Sequence, residues 1–335
     1  STPGLPFFIM GHNGKAAWAF TAGGVDVNDY YLEEINPDDS NQYMTDDGWR
    51  DFDVVDDSVY ISDLDSFVQV SFRYTESGPV VGDEEPFYSF YWAGFDVDLN
   101  TAVTSALGLH RVRTFEQFRN AVTNFGALDA NMFYADINGN IGYQLTTPIL
   151  SGTNESMPFA ANGNNARRPG DFLSLPETPH ALNPPQGWLA SSNNMPRRDP
   201  LTDGHFFANR IMSISQLLES KDTFSVEDMQ RFQMDKTDRY MTRFNEVFAR
   251  SLDSIDQAEL AVAIRHWDGS MALDSREAAL MNVFLSHLKQ LTFEDELDEL
   301  YYQVPAKWIE QLEAVEQAGW FDDVSTPDVI ETVDD

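Results

Sequence analysis

Residues 3–34, PGLPFFIMGHNGKAAWAFTAGGVDVNDYYLEE, constrain the fold more than any other stretch of the chain. Phe7-Phe8-Ile9-Met10 and Ala16-Ala17-Trp18-Ala19-Phe20 read as two β-strands. The Asn13-Gly14 pair between them predicts a tight hairpin, with both central residues at positive φ. A hairpin of this kind commits the start of the chain to an antiparallel sheet. Thr21-Ala22-Gly23-Gly24 then leaves the sheet with little side-chain bulk, so a backbone N–H there can approach a ligand closely. Asp26, Asn28 and Asp29 follow at once. Carboxylate and carbonyl oxygens clustered in this way suit a hard cation such as calcium.

The chain has 335 residues, 42% of them hydrophobic, enough for a large core in one or two domains. Its net charge is −34, from 55 acidic and 21 basic residues. Such a balance fits either a solvated acidic surface or a cation-binding protein, and it argues against nucleic acid, whose phosphates require a basic patch. With no cysteine, disulfides, thiolate metal sites and cysteine nucleophiles are excluded together. No apolar run reaches transmembrane length and no leader-like segment opens the sequence, so a membrane partner is not expected.

Residues 1–205 read as mainly β, with a long irregular part rich in Gly, Pro, Asn and Ser from Ser151 to Asp203. Asp53–Ile61 and Phe67–Tyr74 alternate as half-buried strands do. Ser77-Gly78-Pro79 reads as a turn. A helix is expected from Thr114 to about Phe125, opened by the Thr114/Gln117 capping-box spacing. Phe133 to Leu145 predicts a second hairpin, turned at Asn138-Gly139. Residues 206–335 read as mainly helical, with starts marked by Ser225/Asp228 and by Asp274/Glu277 and an acidic tail that frays. HExxH, GxSxG, Walker A and GxGxxG patterns are all missing from the sequence.

Five ordered segments carry a family resemblance. They are Gly11-His12-Asn13-Gly14 with its Ala17-Trp18, Asp26/Asp29 and Tyr31-Leu32-Glu33 continuation; Ala135-Asp136 through Gly139-Asn140-Ile141-Gly142-Tyr143; Asn183-Pro184 through Gly187 to Asn193-Asn194; Ala208-Asn209-Arg210-Ile211; and Trp267-Asp268-Gly269. In this order they resemble the nucleophile-bearing chain of the penicillin acylase family, which includes acyl-homoserine lactone acylases. The resemblance implies an α+β fold: part of the N-terminal-nucleophile hydrolase αββα sandwich, with stacked antiparallel sheets and a helical C-terminal region. It implies cleavage of a small-molecule amide through an acyl-enzyme ester, with an antibiotic or a quorum signal as the kind of substrate. Phe20 is a candidate wall of the acyl pocket. A periplasmic or secreted location is implied as well.

By the same resemblance, the backbone N–H of Ala22 and the side-chain amide of Asn193 stabilise the oxyanion, with Asn194 as the one-residue alternative. Arg210 matches an arginine near the active site, and its other reading is a solvated helix-start residue. His12 matches a packed structural histidine. Asp26, Asn28, Asp29 and Asp203 match the ligands of one structural calcium ion, against which stands their membership of the general acidic surface. The family nucleophile is an N-terminal serine whose free α-amine acts as base. Ser1 does not match it, because Ser1-Thr2-Pro3-Gly4-Leu5-Pro6 aligns with an internal PGxP loop. The nucleophile is therefore expected outside these residues, with the remaining acylase segments or chains as partners and the isolated piece inactive. Ser77 stands where the family usually has His, and Ala19 where it has Gly. The alternative is a non-catalytic calcium-binding or interaction module derived from such an acylase.

Overall fold

Ala16, Trp18 and Phe20 alternate with Ala17, Ala19 and Thr21, which gives their strand one apolar face, and the first part of the molecule is organised around that strand. The structure is a computed structural model that describes residues 7–25, 27–82, 85–123, 129–146, 149, 177–196 and 209–304, with Asn209 and Glu296 described by backbone alone. The chain divides into two compact units, Ser1–Ala208 and Asn209–Asp335.

In chain order the first unit holds β1 (Gly11–His12), β2 (Ala16–Ala22), β3 (Asn28–Leu32), β4 (Gln42–Thr45), β5 (Gly48–Asp51), β6 (Asp53–Ile61), β7 (Ser66–Thr75), β8 (Gly78–Val81) and β9 (Tyr88–Trp92). Helices α1 (Leu99–Gly108) and α2 (Phe115–Thr123) follow, then β10 (Ala130–Asp136), β11 (Ile141–Leu145) and β12 (His180–Leu182). One antiparallel sheet runs β1-β2-β10-β11-β12 and a second runs β3-β9-β8-β7-β6, with β4 and β5 a separate pair.

The first sheet has two unlike faces. Ala16 and Trp18 of β2 and Ala130, Met132 and Tyr134 of β10 pack against Ala106 of α1 and Phe118, Ala121 and Val122 of α2. Phe118 and Val122 are fully buried, each stabilising the fold by about 1.5–3 kcal/mol relative to exposure. Phe20 packs on this helix-covered face, away from the site described below. On the other face Tyr143 and Leu145 gather with Val25 and Ile149. The helix start at Thr114 forms as its spacing predicts: Gln117 N–H donates to Thr114 Oγ1 at 3.2 Å, and Arg113 N–H donates to Gln117 Oε1 at 2.9 Å. The hairpin of β10 and β11 turns at Gly139, φ 86°.

Three expectations change around the first hairpin. Phe7–Met10 is not a strand; β1 is Gly11–His12, and Trp18 Nε1–H ties down the preceding segment by donating to the Phe8 carbonyl at 2.9 Å. Only Gly14 of the turn takes positive φ, because Asn13 Oδ1 accepts from the Lys15 and Ala16 N–H groups and closes the turn with its side chain. The packed histidine is His110, whose ring lies 6.1 Å from Trp18 and whose Nε2 accepts from Phe8 N–H, while His12 is exposed.

β6 and β7 form where expected but are exposed on both faces rather than half-buried. Only Tyr74 and Thr75 at the end of β7 pair with β8, so the rest of this hairpin runs beyond the sheet. Gly78 begins β8, so the turn is one residue earlier than Ser77-Gly78-Pro79 suggests.

The second unit, as described, is helical: α3 (Asn209–Glu219), α4 (Val226–Gln233), α5 (Asn245–Ser254), α6 (Ala258–Arg265) and α7 (Arg276–Leu297). Its core joins Phe244, Ile264, Met281 and Phe293, and the Phe248 and Phe284 rings stack at 4.2 Å. Ser225 and Asp228 make the capping box of α4. α7 is capped by Ser275, one residue after the Asp274 start.

A Cβ placed on Gly142 of β11 would collide with the Phe115 ring of α2. Gly142→Ala should therefore lower unfolding free energy by about 1–3 kcal/mol, measured by urea denaturation. An unchanged midpoint would show that the ring moves aside without cost.

Candidate functional site

β2 ends in a run of small residues, and Asp129 clasps its end. Gly23 N–H donates to the Asp129 carbonyl at 2.9 Å, and Gly24 N–H donates to Asp129 Oδ2 at 2.5 Å. A Cβ on Gly23 would occupy the space of that carboxylate. This is the close approach for which glycine is needed here.

The register fixes where Ala22 points. Ala22 stands opposite Ala130, and the neighbouring Gly23–Asp129 pair is hydrogen-bonded. Antiparallel pairs alternate, so Ala22–Ala130 is a non-bonded pair, and the Ala22 N–H and C=O both lie outside the backbone ladder with β10. On that side β1 pairs with β2 only at Ala17 and Trp18. Ala22 is exposed.

Asn193, 171 residues further on, donates from Nδ2 to the Ala22 carbonyl at 2.9 Å. The structure thus joins two of the residues singled out in the sequence and places the Asn193 amide on the same side of β2 as the Ala22 N–H. Asn193 has φ 66°, a left-handed conformation that asparagine tolerates better than most residues. Asn194 is turned inward on its own loop: its Oδ1 accepts from Ser192 N–H and its Nδ2 donates to the Met195 carbonyl. The amide that meets Ala22 is therefore that of Asn193.

A polar cluster that the sequence reading did not identify lies beneath this contact. Asn131 of β10 is 1% exposed. Its Nδ2 donates to the Ala22 carbonyl at 2.9 Å and approaches Thr21 Oγ1 and Ser191 Oγ at 3.3 Å each. Its Oδ1 accepts from the Tyr143 hydroxyl at 2.7 Å. Thr21 Oγ1 and Ser191 Oγ are 2.7 Å apart, and Ser191 Oγ also accepts from Asn193 N–H at 3.1 Å. Burial pushes the Tyr143 phenol up, and the Asp129 carboxylate adds to the rise, so the hydroxyl stays a donor. A pocket of about 320 Å³ opens beside the cluster, lined by Asn131, Phe133, Tyr143, Leu189, Ser191 and Asn194 among others. The one available signal was a lone amide in an otherwise apolar strand, Ala130-Asn131-Met132-Phe133.

Arg210 lies in the first turn of α3, in the second unit, and is exposed. Asn28 and Asp29 lie on β3, opposite Trp92 and Tyr91 of β9. Asp26 and Asp203 fall outside the described residues. Among the described residues no three His, Cys, Asp or Glu side chains gather as a metal cage. Burial raises the Tyr91 phenol, and its hydrogen bond to Asp96 raises it further.

The fold is α+β, antiparallel sheets with helices as in N-terminal-nucleophile hydrolases. The penicillin amidase family model matches residues 1–335, and the chain belongs to that family. It is similar to the acyl-homoserine lactone acylase QuiP of Pseudomonas aeruginosa, at 24% identity covering 89% of this chain and 39% of that protein. It is also similar to penicillin G acylase of Escherichia coli, at 25% identity covering 86% of this chain and 36% of that protein. The chain thus spans about two fifths of the length of these curated relatives. The thermostable penicillin G acylase structure from Alcaligenes faecalis shares the fold, with TM-score 0.79, 24% identity, and coverage of 89% of this chain and 57% of that one. Among the described residues no helix is long and apolar enough to cross a membrane.

Gly23→Ala should displace the Asp129 carboxylate and lower stability by about 1–3 kcal/mol in urea unfolding. Adding Asp129→Ala should recover part of that loss. A loss that Asp129→Ala leaves untouched would show that the carboxylate is not what excludes a side chain at residue 23.

Proposed function

We propose that this chain supplies the oxyanion-binding half of an amide hydrolase that works through an acyl-enzyme ester. The observation that carries this reading is the Asn193 amide held on the Ala22 carbonyl, on the side of β2 to which the Ala22 N–H points. Attack on an amide carbonyl puts negative charge on its oxygen, and two neutral, pre-aimed donors stabilise that charge more than they stabilise the ground state. Here the donors are the Ala22 backbone N–H and an Asn193 Nδ2–H. The amine then leaves, and water releases the acid from the ester. The nucleophilic serine and its α-amine come from outside these residues, in a processed enzyme of more than one chain. Family membership supports that reading. Arg210 is proposed to orient groups around the nucleophile. Antibiotic and quorum-signal amides are the substrate kinds suggested by the relatives' names.

In the complete enzyme, Asn193→Ala should lower kcat by about 10²–10³ and leave KM within about threefold, since the lost donor acts on the transition state. Alanine at positive φ adds backbone strain, so Asn193→Gly is the control and should lose as much activity. Unchanged kcat in the glycine variant would remove Asn193 from the oxyanion site and favour a non-catalytic module.

We also propose that Asp26, Asn28, Asp29 and Asp203 hold one structural calcium ion, Asn28 through its backbone carbonyl. The donor set is all oxygen and drawn from distant parts of the chain, which suits calcium over zinc. The enzyme then works outside the cytoplasm, in the periplasm or beyond it, where a weak calcium site is filled. A chelator should lower the thermal midpoint of the full chain by about 5 °C, with calcium but not magnesium restoring it. An identical midpoint with and without chelator would remove the ion.

A further inference from the structure

We propose that Asn131, fixed by Tyr143, is a positioning residue that sets the Asn193 donor against Ala22; this rests on the oxyanion reading above.

The Ala22 carbonyl accepts from two side-chain amides, Asn131 and Asn193, each at 2.9 Å. A carbonyl oxygen has two lone pairs, so the two amides complete its capacity and fix the orientation of the Ala22–Gly23 peptide. Asn131 is the inner member, buried on a strand, and Asn193 is the outer, half-buried one on a loop. Asn131 also approaches Ser191 Oγ, the oxygen that accepts the Asn193 backbone N–H. One buried amide therefore reaches Asn193 by two routes: through the Ala22 carbonyl that its side chain shares, and through the hydroxyl that anchors its backbone. Tyr143 fixes Asn131 in turn. Its hydroxyl donates to Oδ1 while Nδ2 faces Ala22, and a flipped amide would set its oxygen against the Ala22 carbonyl, acceptor against acceptor. Neither Asn131 nor Tyr143 is assigned any contact with the reacting atoms. Their effect is on geometry, where an error of about 1 Å far from the chemistry costs about 10²-fold in rate.

Tyr143→Phe removes only the hydroxyl and keeps the ring in its apolar cluster with Leu145 and Val25. It is the principal variant, because Asn131→Ala leaves several buried partners unmatched and risks misfolding. The measurement is steady-state kinetics of the complete enzyme on phenylacetyl and octanoyl para-nitroanilides, with thermal midpoints taken alongside. We expect Tyr143→Phe to lower kcat about tenfold with KM within about twofold. In an Asn193→Gly background the same change should cost about threefold or less, because the group it positions is gone. Equal losses in both backgrounds would overturn the proposal, as would a kcat unchanged by Tyr143→Phe while Asn193→Gly still lowers it. That second result would leave the oxyanion reading standing. If Asn193→Gly itself leaves kcat unchanged, the oxyanion reading and this inference fall together. A lower thermal midpoint with unaltered kcat would assign Tyr143 to stability alone and also overturn the proposal.

Discussion

One carbonyl oxygen organises the site. Ala22 C=O stands at the end of β2, outside the backbone ladder with β10, and accepts from a side-chain amide of β10 and from an amide on a loop 171 residues away. A typical hydrogen bond contributes only about 1 kcal/mol net to stability, whereas a buried polar group left without a partner costs about 1–3 kcal/mol. The cluster of Asn131, Thr21, Ser191 and Tyr143 is therefore held less by what each bond adds than by what any misplacement costs. That asymmetry makes a buried polar network specify a single geometry. It sets the loop that carries Asn193 against the strand that carries Ala22.

The two faces of the sheet divide the labour. Trp18, Met132, Tyr134 and Phe118 on the helix-covered face supply apolar burial and keep β2 and β10 in place. The opposite face carries the amide and hydroxyl cluster and the pocket beside it. Period-two alternation makes this possible within one strand pair: Met132 points to the helices and Asn131 to the site. A one-residue slip of β10 would exchange them, burying the amide among aromatic rings, so the apolar core fixes the register that the polar site requires.

Local chemistry was legible in the sequence where a few adjacent residues decide the outcome. The Asn138-Gly139 turn, the Ser225/Asp228 cap and the Thr114 helix start all form. Features that depend on distant packing were not. Phe7–Met10 reads as a strand, yet it is drawn from the sheet by Trp18 and His110. The apolar pattern of β6 and β7 reads as half-buried, but burial requires a second layer, and only the base of that hairpin is joined to the sheet. Asn193 and Asn194 are equivalent as neighbouring letters and become distinct only because one meets the Ala22 carbonyl and the other folds onto its own loop. The role of Asn131 is silent in the sequence, because its partners Thr21, Ser191 and Tyr143 approach it only in three dimensions.

The chemistry gathered at this strand end is mostly neutral. A backbone N–H and a primary amide do not gain or lose a proton in the pH range in which enzymes work. The Tyr143 phenol, raised by burial and by Asp129, remains a donor through that range. The nearby carboxylate of Asp129 is turned to the Gly24 N–H rather than to the Ala22 N–H, so its charge fixes the turn without occupying the donor that an oxyanion would use. Under the proposed oxyanion reading this separation matters, because a carboxylate competing for the same N–H would oppose the charge that develops in the transition state. Under the same proposed reading, donors that keep their protonation state leave the pH dependence of acyl transfer to the nucleophile and its base. The strand end contributes a geometry that holds across the working pH range.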